Sequence, residues 1–304
     1  MNNEILVVGS VALDTIKTPF GDAKEVLGGS AVYFSIAASS FSKVNIVGVV
    51  GNDFPDKYIK LLKKRKIDVT GLVKQSGKTF RWTGEYKYDL NQRETLDLQL
   101  NVFKDFNPEI PDVYKNIKYI FLANIDPELQ LNVLKQVKNP KLVACDTMDH
   151  WIKDKKDKVC EVLSKVDIIV INDSEARQFS GSANLVKSAR KIQECGPKVV
   201  IIKKGEHGAF CFSKNWHFAA PAFPLESVYD PTGAGDSFAG GFMGYLASCD
   251  RFSEKEVKQA IIFGTVTASY CVENFSVRRL QTINFQDIKK RYNELKKITH
   301  FEPI

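Results

Sequence analysis

Long apolar runs are missing from this sequence of 304 residues. A membrane-spanning helix needs roughly 18 or more consecutive apolar residues. The longest candidate here, residues 166–171, is of strand length and is interrupted by Asp167. The opening MNNEILVVGS carries Glu4 where a signal peptide carries positive charge. Paired cysteines are missing too. Cys145, Cys160, Cys195, Cys211, Cys249 and Cys271 are far apart and form no C-x-x-C, so neither a zinc knuckle nor a redox motif is supported. His150, His207, His217 and His300 have no metal-ligand spacing, and no Ser-His-Asp order emerges. Gly at 19 and Pro at 11 are too few for collagen-like or proline-rich architectures. A composition 44% hydrophobic and 26% charged excludes disorder. The expectation is a soluble protein of a reducing cytoplasm with no membrane partner. The net charge of +7 is dispersed, and its densest runs, Lys63–Lys66 and Lys153–Lys158, read as solvated helix faces rather than nucleic-acid contacts.

What is present is an alternation of short apolar strands with amphipathic helices. Strands are predicted at 5–8, 44–50, 119–123, 142–145, 168–171, 199–202 and 209–212, with helices at 31–41, 55–66, 128–137, 159–165, 175–179, 185–195, 236–247, 255–270 and 287–297. Such a rhythm means a mostly parallel sheet covered on both faces. Two early segments differ. Residues 14–27 hold a turn at Pro19–Asp22, and residues 79–100 alternate polar and aromatic residues around Asp89-Leu90-Asn91, so both read as antiparallel hairpins. No linker divides the chain, which predicts one domain with two β insertions.

The strongest local motif is Asp230-Pro231-Thr232-Gly233-Ala234-Gly235-Asp236, running into a helix with Gly240, Gly241 and Gly244 on it. Two glycines permit a tight turn, and the helix N-terminus adds its positive end, so backbone amides can converge on an anion. An acid among those amides suits proton abstraction while they hold developing charge. The competing reading of Asp236 is a helix cap. Asn172 and Glu175 follow a strand and can face one way to hold water around Mg²⁺, or form a capping box. Gly28-Gly29 permits close approach of a ligand, or simply a turn. Gly205-Glu206-His207-Gly208 reads as a hairpin turn. The stretch GLVKQSGKT, Gly71–Thr79, has five residues between its glycines where a P-loop has four, and it runs into a strand, so the P-loop reading fails. No G-x-G-x-x-G follows the first strand, which removes a nicotinamide oxidoreductase.

Taken together, Asp14, Gly28-Gly29, the N-x-x-E at Asn172–Glu175 and DPTGAGDSFAGGF resemble the ribokinase-like (PfkB) carbohydrate kinase family over nearly the whole chain. The resemblance implies an α/β, three-layer sandwich with a central, mostly parallel sheet and a small β lid, here 14–27 and 79–100. It implies an ATP-dependent kinase of a sugar or nucleoside hydroxyl. Asp236 is then the catalytic base, with the amides of Gly233, Ala234 and Gly235 as the anion hole. Asn172 and Glu175 organise Mg²⁺ through water. Asp14, Gly28 and Gly29 hold substrate hydroxyls. Gly205, Gly208 and the stretch 264–275, Ala268 and Val272 among it, line the nucleotide site. A monovalent cation and a homodimer through the lid belong to the same expectation. The sequence departs from the pattern at Tyr33, where such sugar kinases often place Asn. With the lid aromatics Phe80, Trp82, Tyr86 and Tyr88, that keeps a nucleoside acceptor open beside a simple sugar. A phosphorylated acceptor would call for Arg81 or Arg93. A non-catalytic ligand-binding member of the fold is the alternative from another class.

Overall fold

Continuous apolar runs, rather than alternating ones, mark strands covered on both faces, and the computed structural model has nine of its described strands in such a sheet. The structure describes residues 3–300 and Glu302. The first half contains β1 (Glu4–Val8), β2 (Ala12–Thr18), β3 (Gly21–Gly28), α1 (Ser30–Ala38), β4 (Lys43–Gly51), α2 (Asp56–Lys64), β5 (Ile67–Gln75), β6 (Phe80–Tyr86) and β7 (Arg93–Gln99). After it come β8 (Tyr119–Leu122), α3 (Pro127–Gln136), β9 (Leu142–Cys145), α4 (Asp149–Asp154), α5 (Lys156–Leu163), β10 (Ile168–Asn172), α6 (Asp173–Ser180) and α7 (Leu185–Glu194). The last part holds β11 (Val199–Lys203), β12 (Ala209–Ser213), β13 (His217–Ala220), α8 (Ala234–Cys249), α9 (Glu254–Cys271) and α10 (Phe285–Ile298).

The large sheet has the order β13-β12-β11-β10-β9-β8-β1-β4-β5, parallel from β11 to β5 and antiparallel only at β12 and β13. Alternate residues of β1 feed opposite layers. Ile5 and Val7 pack beneath α1, α2, α8, α9 and α10, whereas Leu6 and Val8 pack beneath α3 to α7. This is the expected three-layer α/β sandwich. The two early hairpins join as a second sheet, β3-β2-β6-β7, through parallel pairing of β2 with β6. No described helix is long and apolar enough to cross a membrane.

Three elements escape the sequence reading: β5, β13 and the short α4. In β5 the polar residues Asp68, Thr70 and Lys74 hide the strand signal, because an edge strand needs less apolar surface. Gly71–Gln75 ends this strand and no helix follows Gly77, so the geometry contains no P-loop. The cysteines remain free thiols, but folding brings Cys160 and Cys195 to 2.9 Å between sulfurs despite their separation in sequence.

Helix α1 is buried all round, between the sheet and α8. The small residues of α8 make this approach possible. A Cβ added at Gly240 would lie 2.8 Å from the Ala37 Cβ, and one at Gly241 would lie 2.6 Å from the Thr267 hydroxyl. The same contacts fix where the N-terminus of α8 stands over the sheet. Gly240→Val should therefore cost about 2 kcal/mol or more. Gly181→Asn, at a left-handed helix end with open space around it, should stay within about 0.5 kcal/mol. Urea denaturation midpoints check both, and equal losses would contradict the packing argument.

Candidate active site

Residues just beyond the carboxyl ends of parallel strands converge on one crevice. Here Asp146 directly follows β9, Asn172 closes β10 and Lys203 closes β11, with Asn172 and Lys203 paired in register. Helix α8 points its N-terminus at the same place. Gly233, at φ 76°, is its N-cap, and no side chain caps it. Asp236 stands in its first turn, so the capping reading of Asp236 is not realised. Ala234 N–H donates to the Pro231 carbonyl at 3.1 Å, which removes Ala234 from the expected trio of anion-binding amides. Among the described residues, the N–H groups of Gly233 and Gly235 find no such acceptor, which leaves them free for a ligand.

A buried charge cluster surrounds this helix end. The Lys203 ammonium lies 3.3 Å from Asp146 Oδ2, and a Cβ added at Gly235 would sit 2.8 Å from its Nζ. Burial raises the Asp236 carboxyl to about 7, Asp146 pushes the same way, and Lys203 and Arg93 oppose them. Burial and Asp146 likewise raise Glu175 to about 7. Burial lowers the affinity of Lys203 for its proton, yet Asp146, Glu175 and Asp236 together hold it above the ordinary lysine value. Three carboxylates thus bear on one largely buried ammonium. Asn172 and Glu175 form the capping box: Glu175 N–H donates to Asn172 Oδ1 at 2.8 Å and Asn172 N–H to Glu175 Oε2 at 2.9 Å. Each residue so commits one oxygen to the helix, and Glu175 Oε1 remains. Among the described residues no three His, Cys, Asp or Glu side chains are grouped to hold a metal directly. The oxygen donors and the excess of buried negative charge nevertheless fit a hard divalent cation held largely by water.

A cavity of about 380 Å³ adjoins the cluster, with Lys203 and Gly235 in its lining. Gly205, Gly208, Ala268 and Val272 all line it, so the four residues expected around a nucleotide come together. Gly205 and Gly208 do make the β11–β12 turn, both at positive φ. Leu90 and Asn91, from the turn between β6 and β7, also line the cavity, and Asn91 Oδ1 rests on Gly205.

Asp14, Gly28, Gly29 and Tyr33 gather beside the 230–233 loop. Asp14 is 4% exposed, with its carboxylate lying against Gly28. Burial, then the nearby Asp230, raise it to about 8, although the Gly29 N–H bond opposes this. Gly29 is required by the chain itself: at φ 96° its backbone passes the Ser10 carbonyl too closely for a Cβ. Tyr33 departs from expectation. Its ring is 1% exposed and packs on Gly233, so it supports the loop from below and offers no face to an acceptor. Its hydroxyl is buried without a protein partner. Of the lid aromatics only Tyr86 reaches the site, accepting a bond from the Thr232 hydroxyl at 3.2 Å. Phe80 stacks on Phe103, Trp82 donates to Thr95, and Tyr88 is 99% exposed. Asp230, wholly buried, accepts from Thr232 N–H at 2.8 Å and Ser276 N–H at 3.0 Å, tying the α8 loop to the chain after α9. Arg81 is held by Glu25 and Asp53, away from the cluster. Asp146 and Lys203 went unnoticed in the sequence, although a charge that ends an apolar strand is a readable signal.

Residues 2–283 match the model of the pfkB family carbohydrate kinases. The chain is 30% identical to a cytidine kinase of Thermococcus kodakarensis over 271 residues, covering 85% of this chain and 96% of that one. It is 26% identical to a nucleoside kinase of Methanocaldococcus jannaschii, covering 89% and 90%. The crystal structure of a nucleoside kinase from M. jannaschii superposes with a TM-score of 0.77 at 21% identity, covering 97% and 99%. A ribokinase II described as putative, from E. coli, reaches 0.80 at 19%, covering 96% and 100%.

The raised carboxyl of Asp14 has a stability consequence. A folded pKa of about 8 against an ordinary 3.8 means the folded state holds the proton more tightly. That contribution is complete below pH 4 and is lost as pH rises from about 4 to 8. Asp14→Asn, which never ionises, should melt several degrees above the parent at pH 8.5 and close to it at pH 4. A difference independent of pH in the two melting series would refute the assignment.

Proposed function

The chain belongs to the pfkB family of carbohydrate kinases, and from that premise we propose that it transfers the γ-phosphate of ATP to a nucleoside hydroxyl with Asp236 as base. The class of reaction, phosphoryl transfer to an alcohol, follows from family membership. The observation that carries the residue assignment is the uncapped first turn of α8. Asp236 stands there beside the free amides of Gly233 and Gly235, with the Lys203 ammonium against Gly235.

In this reading the acceptor O–H loses its proton to an Asp236 carboxylate oxygen. The acceptor oxygen forms its bond to the γ-phosphorus as the bond to the β–γ bridging oxygen breaks, and ADP carries away that electron pair. Charge on the phosphoryl oxygens is met by the Gly233 and Gly235 amides and by Lys203, held in place before the reaction begins. A base raised to about 7 suits proton transfer near neutrality. Mg²⁺ supplies shielding of the phosphate charge when bound, and Glu175, Asn172 and Asp146 would hold its water shell. Asp14 would orient acceptor hydroxyls. The cavity lined by Gly205, Gly208, Ala268 and Val272 would take the nucleotide. We read the chain as one kinase domain whose lid is the β3-β2-β6-β7 sheet. Leu96 and Leu98 of β7 and Leu100 just beyond it, 39–54% exposed, support a second copy as partner of that lid. The nucleoside acceptor rests on the names of the two relatives, and a simple sugar is the competing reading.

Asp236→Asn should lower kcat by about 10²–10⁴-fold while the affinity for ADP, measured by calorimetry, stays within a few fold. In the parent, kcat/KM should rise with pH up to about 7 and then level, because the base must be ionised. Near-normal turnover by the variant would remove Asp236 from its role. Coupled ADP release across cytidine, adenosine, ribose and fructose should favour a nucleoside by on the order of 100-fold in kcat/KM, and a preference for fructose would overturn the acceptor assignment.

A further inference from the structure

Cys160 and Cys195 are 35 residues apart in sequence, yet their sulfurs lie 2.9 Å apart. Cys160 is on α5, and Cys195 closes α7. The other cysteines differ: Cys145, Cys211 and Cys271 are buried, and the Cys249 thiol turns to the Leu246 and Arg251 carbonyls. Backbone packing, rather than side-chain reach, brings the two sulfurs together. Gly196, at φ 137°, runs close to the end of α5: an added Cβ would stand 2.7 Å from the Ser164 Cα and 2.9 Å from the Leu163 carbonyl oxygen. Both cysteines pack on the core that holds Val162, Leu163 and Ile192. A disulfide needs Cα atoms about 5–6 Å apart, which only backbones in near contact supply.

The pair stands apart from the charge cluster. Helix α5 leads into β10 and α7 into β11, so both cysteines sit at the amino ends of parallel strands. Asn172 and Lys203 close the same strands at the other end, a strand's length of about 15 Å away. Both thiols are half-buried, within reach of a small oxidant and screened from a second chain. Burial, then the bond with Cys160, push the Cys195 thiol up. Cys195 therefore keeps its proton and donates it toward the Cys160 sulfur, which leaves Cys160 as the sulfur that meets an oxidant.

We propose that Cys160 and Cys195 are a reversible redox pair, which hydrogen peroxide joins into a disulfide that fastens α5 to α7. The Cys160 sulfur attacks the peroxide, the O–O bond breaks, and a Cys160 sulfenic acid forms with release of one water. The Cys195 sulfur then attacks the sulfenic sulfur, the S–O bond breaks as the S–S bond forms, and a second water leaves. Both thiol protons end in that water. Each sulfur gives up one electron, and the peroxide takes the two. The closed loop contains β10, α6 and α7, with Asn172 and Glu175 among its residues. Tying its ends restricts the unfolded chain, so oxidation raises stability. Where thiols are kept reduced, the pair rests open and the bond lasts only while oxidant is present.

The test treats the whole reduced chain with a small excess of hydrogen peroxide, blocks the remaining thiols with iodoacetamide and maps the peptides by mass spectrometry. One linked pair, carrying Cys160 and Cys195, should appear. The oxidised chain should melt about 5–10 °C above the reduced one, and dithiothreitol should reverse both changes. Cys160→Ser and Cys195→Ser should each abolish the rise. In Cys195→Ser, dimedone should trap a sulfenic acid on Cys160, whereas in Cys160→Ser it should leave Cys195 unlabelled. Should a serine variant melt well below the parent, the alanine form carries the same readings. Separate alkylation of the two thiols after peroxide overturns the proposal, as does a link to another cysteine or between chains. A link that leaves the melting temperature unchanged overturns it too. Dimedone labelling of Cys195 in Cys160→Ser, with none of Cys160 in Cys195→Ser, overturns the roles given to the two sulfurs. None of these outcomes depends on phosphotransfer.

Discussion

The Lys203 ammonium, enclosed among Asp146, Glu175 and Asp236, is the interaction on which the site depends. One largely buried cation cannot balance three carboxylates, of which Asp146 and Glu175 are buried and Asp236 partly so, and each unbalanced charge is costly away from water. The cluster answers in three ways. Glu175 and Asp236 are drawn toward neutrality, their carboxyls raised to about 7. Hydrogen bonds from the Asn172 backbone steady Glu175. The remaining excess favours a cation from outside. A carboxyl poised near neutrality and room for an added cation are two results of the same imbalance.

That imbalance is held in place by packing rather than by polar bonds. The end of α8 stands over the sheet because Gly240 and Gly241 let the helix press against α1 and α9. Those contacts are close, so they resist the repulsion that three carboxylates generate. Tyr33 extends the same logic. A bulky ring beneath Gly233 fixes the height of the turn. The core thus reaches to within one residue of the proposed chemistry.

Much of this was legible in the sequence. The unbroken apolar strands declared a parallel sheet with two covered faces, and Gly233-Ala234-Gly235-Asp236 declared a turn feeding a helix. What stayed hidden was of two kinds. Lys203 and Asp146 look like ordinary charges flanking strands, and their convergence depends on β9, β10 and β11 being neighbours, which is a fact of topology. The resemblance offers all three amides of Gly233, Ala234 and Gly235 to an anion, but the turn after Pro231 engages the Ala234 donor. The sequence leaves Tyr33 open, because an aromatic four residues beyond a Gly-Gly pair can face either a ligand or the underside of a loop, and the approach of α8 puts its ring against Gly233. β5 escaped because an edge strand tolerates polar residues that a central strand would not.

The parallel pairing of β2 with β6 also sets an order of assembly. Hairpins form from neighbouring residues, so β2 with β3 and β6 with β7 are local events. Joining them requires the ends of a long intervening segment to meet, and an open chain must surrender entropy for that closure. Docking β4 and β5 beside β1 brings those ends together beforehand. The smaller sheet is accordingly the late unit of folding and the early unit of unfolding. A chain caught early in unfolding would keep the large sheet while the seam between β2 and β6 has already parted.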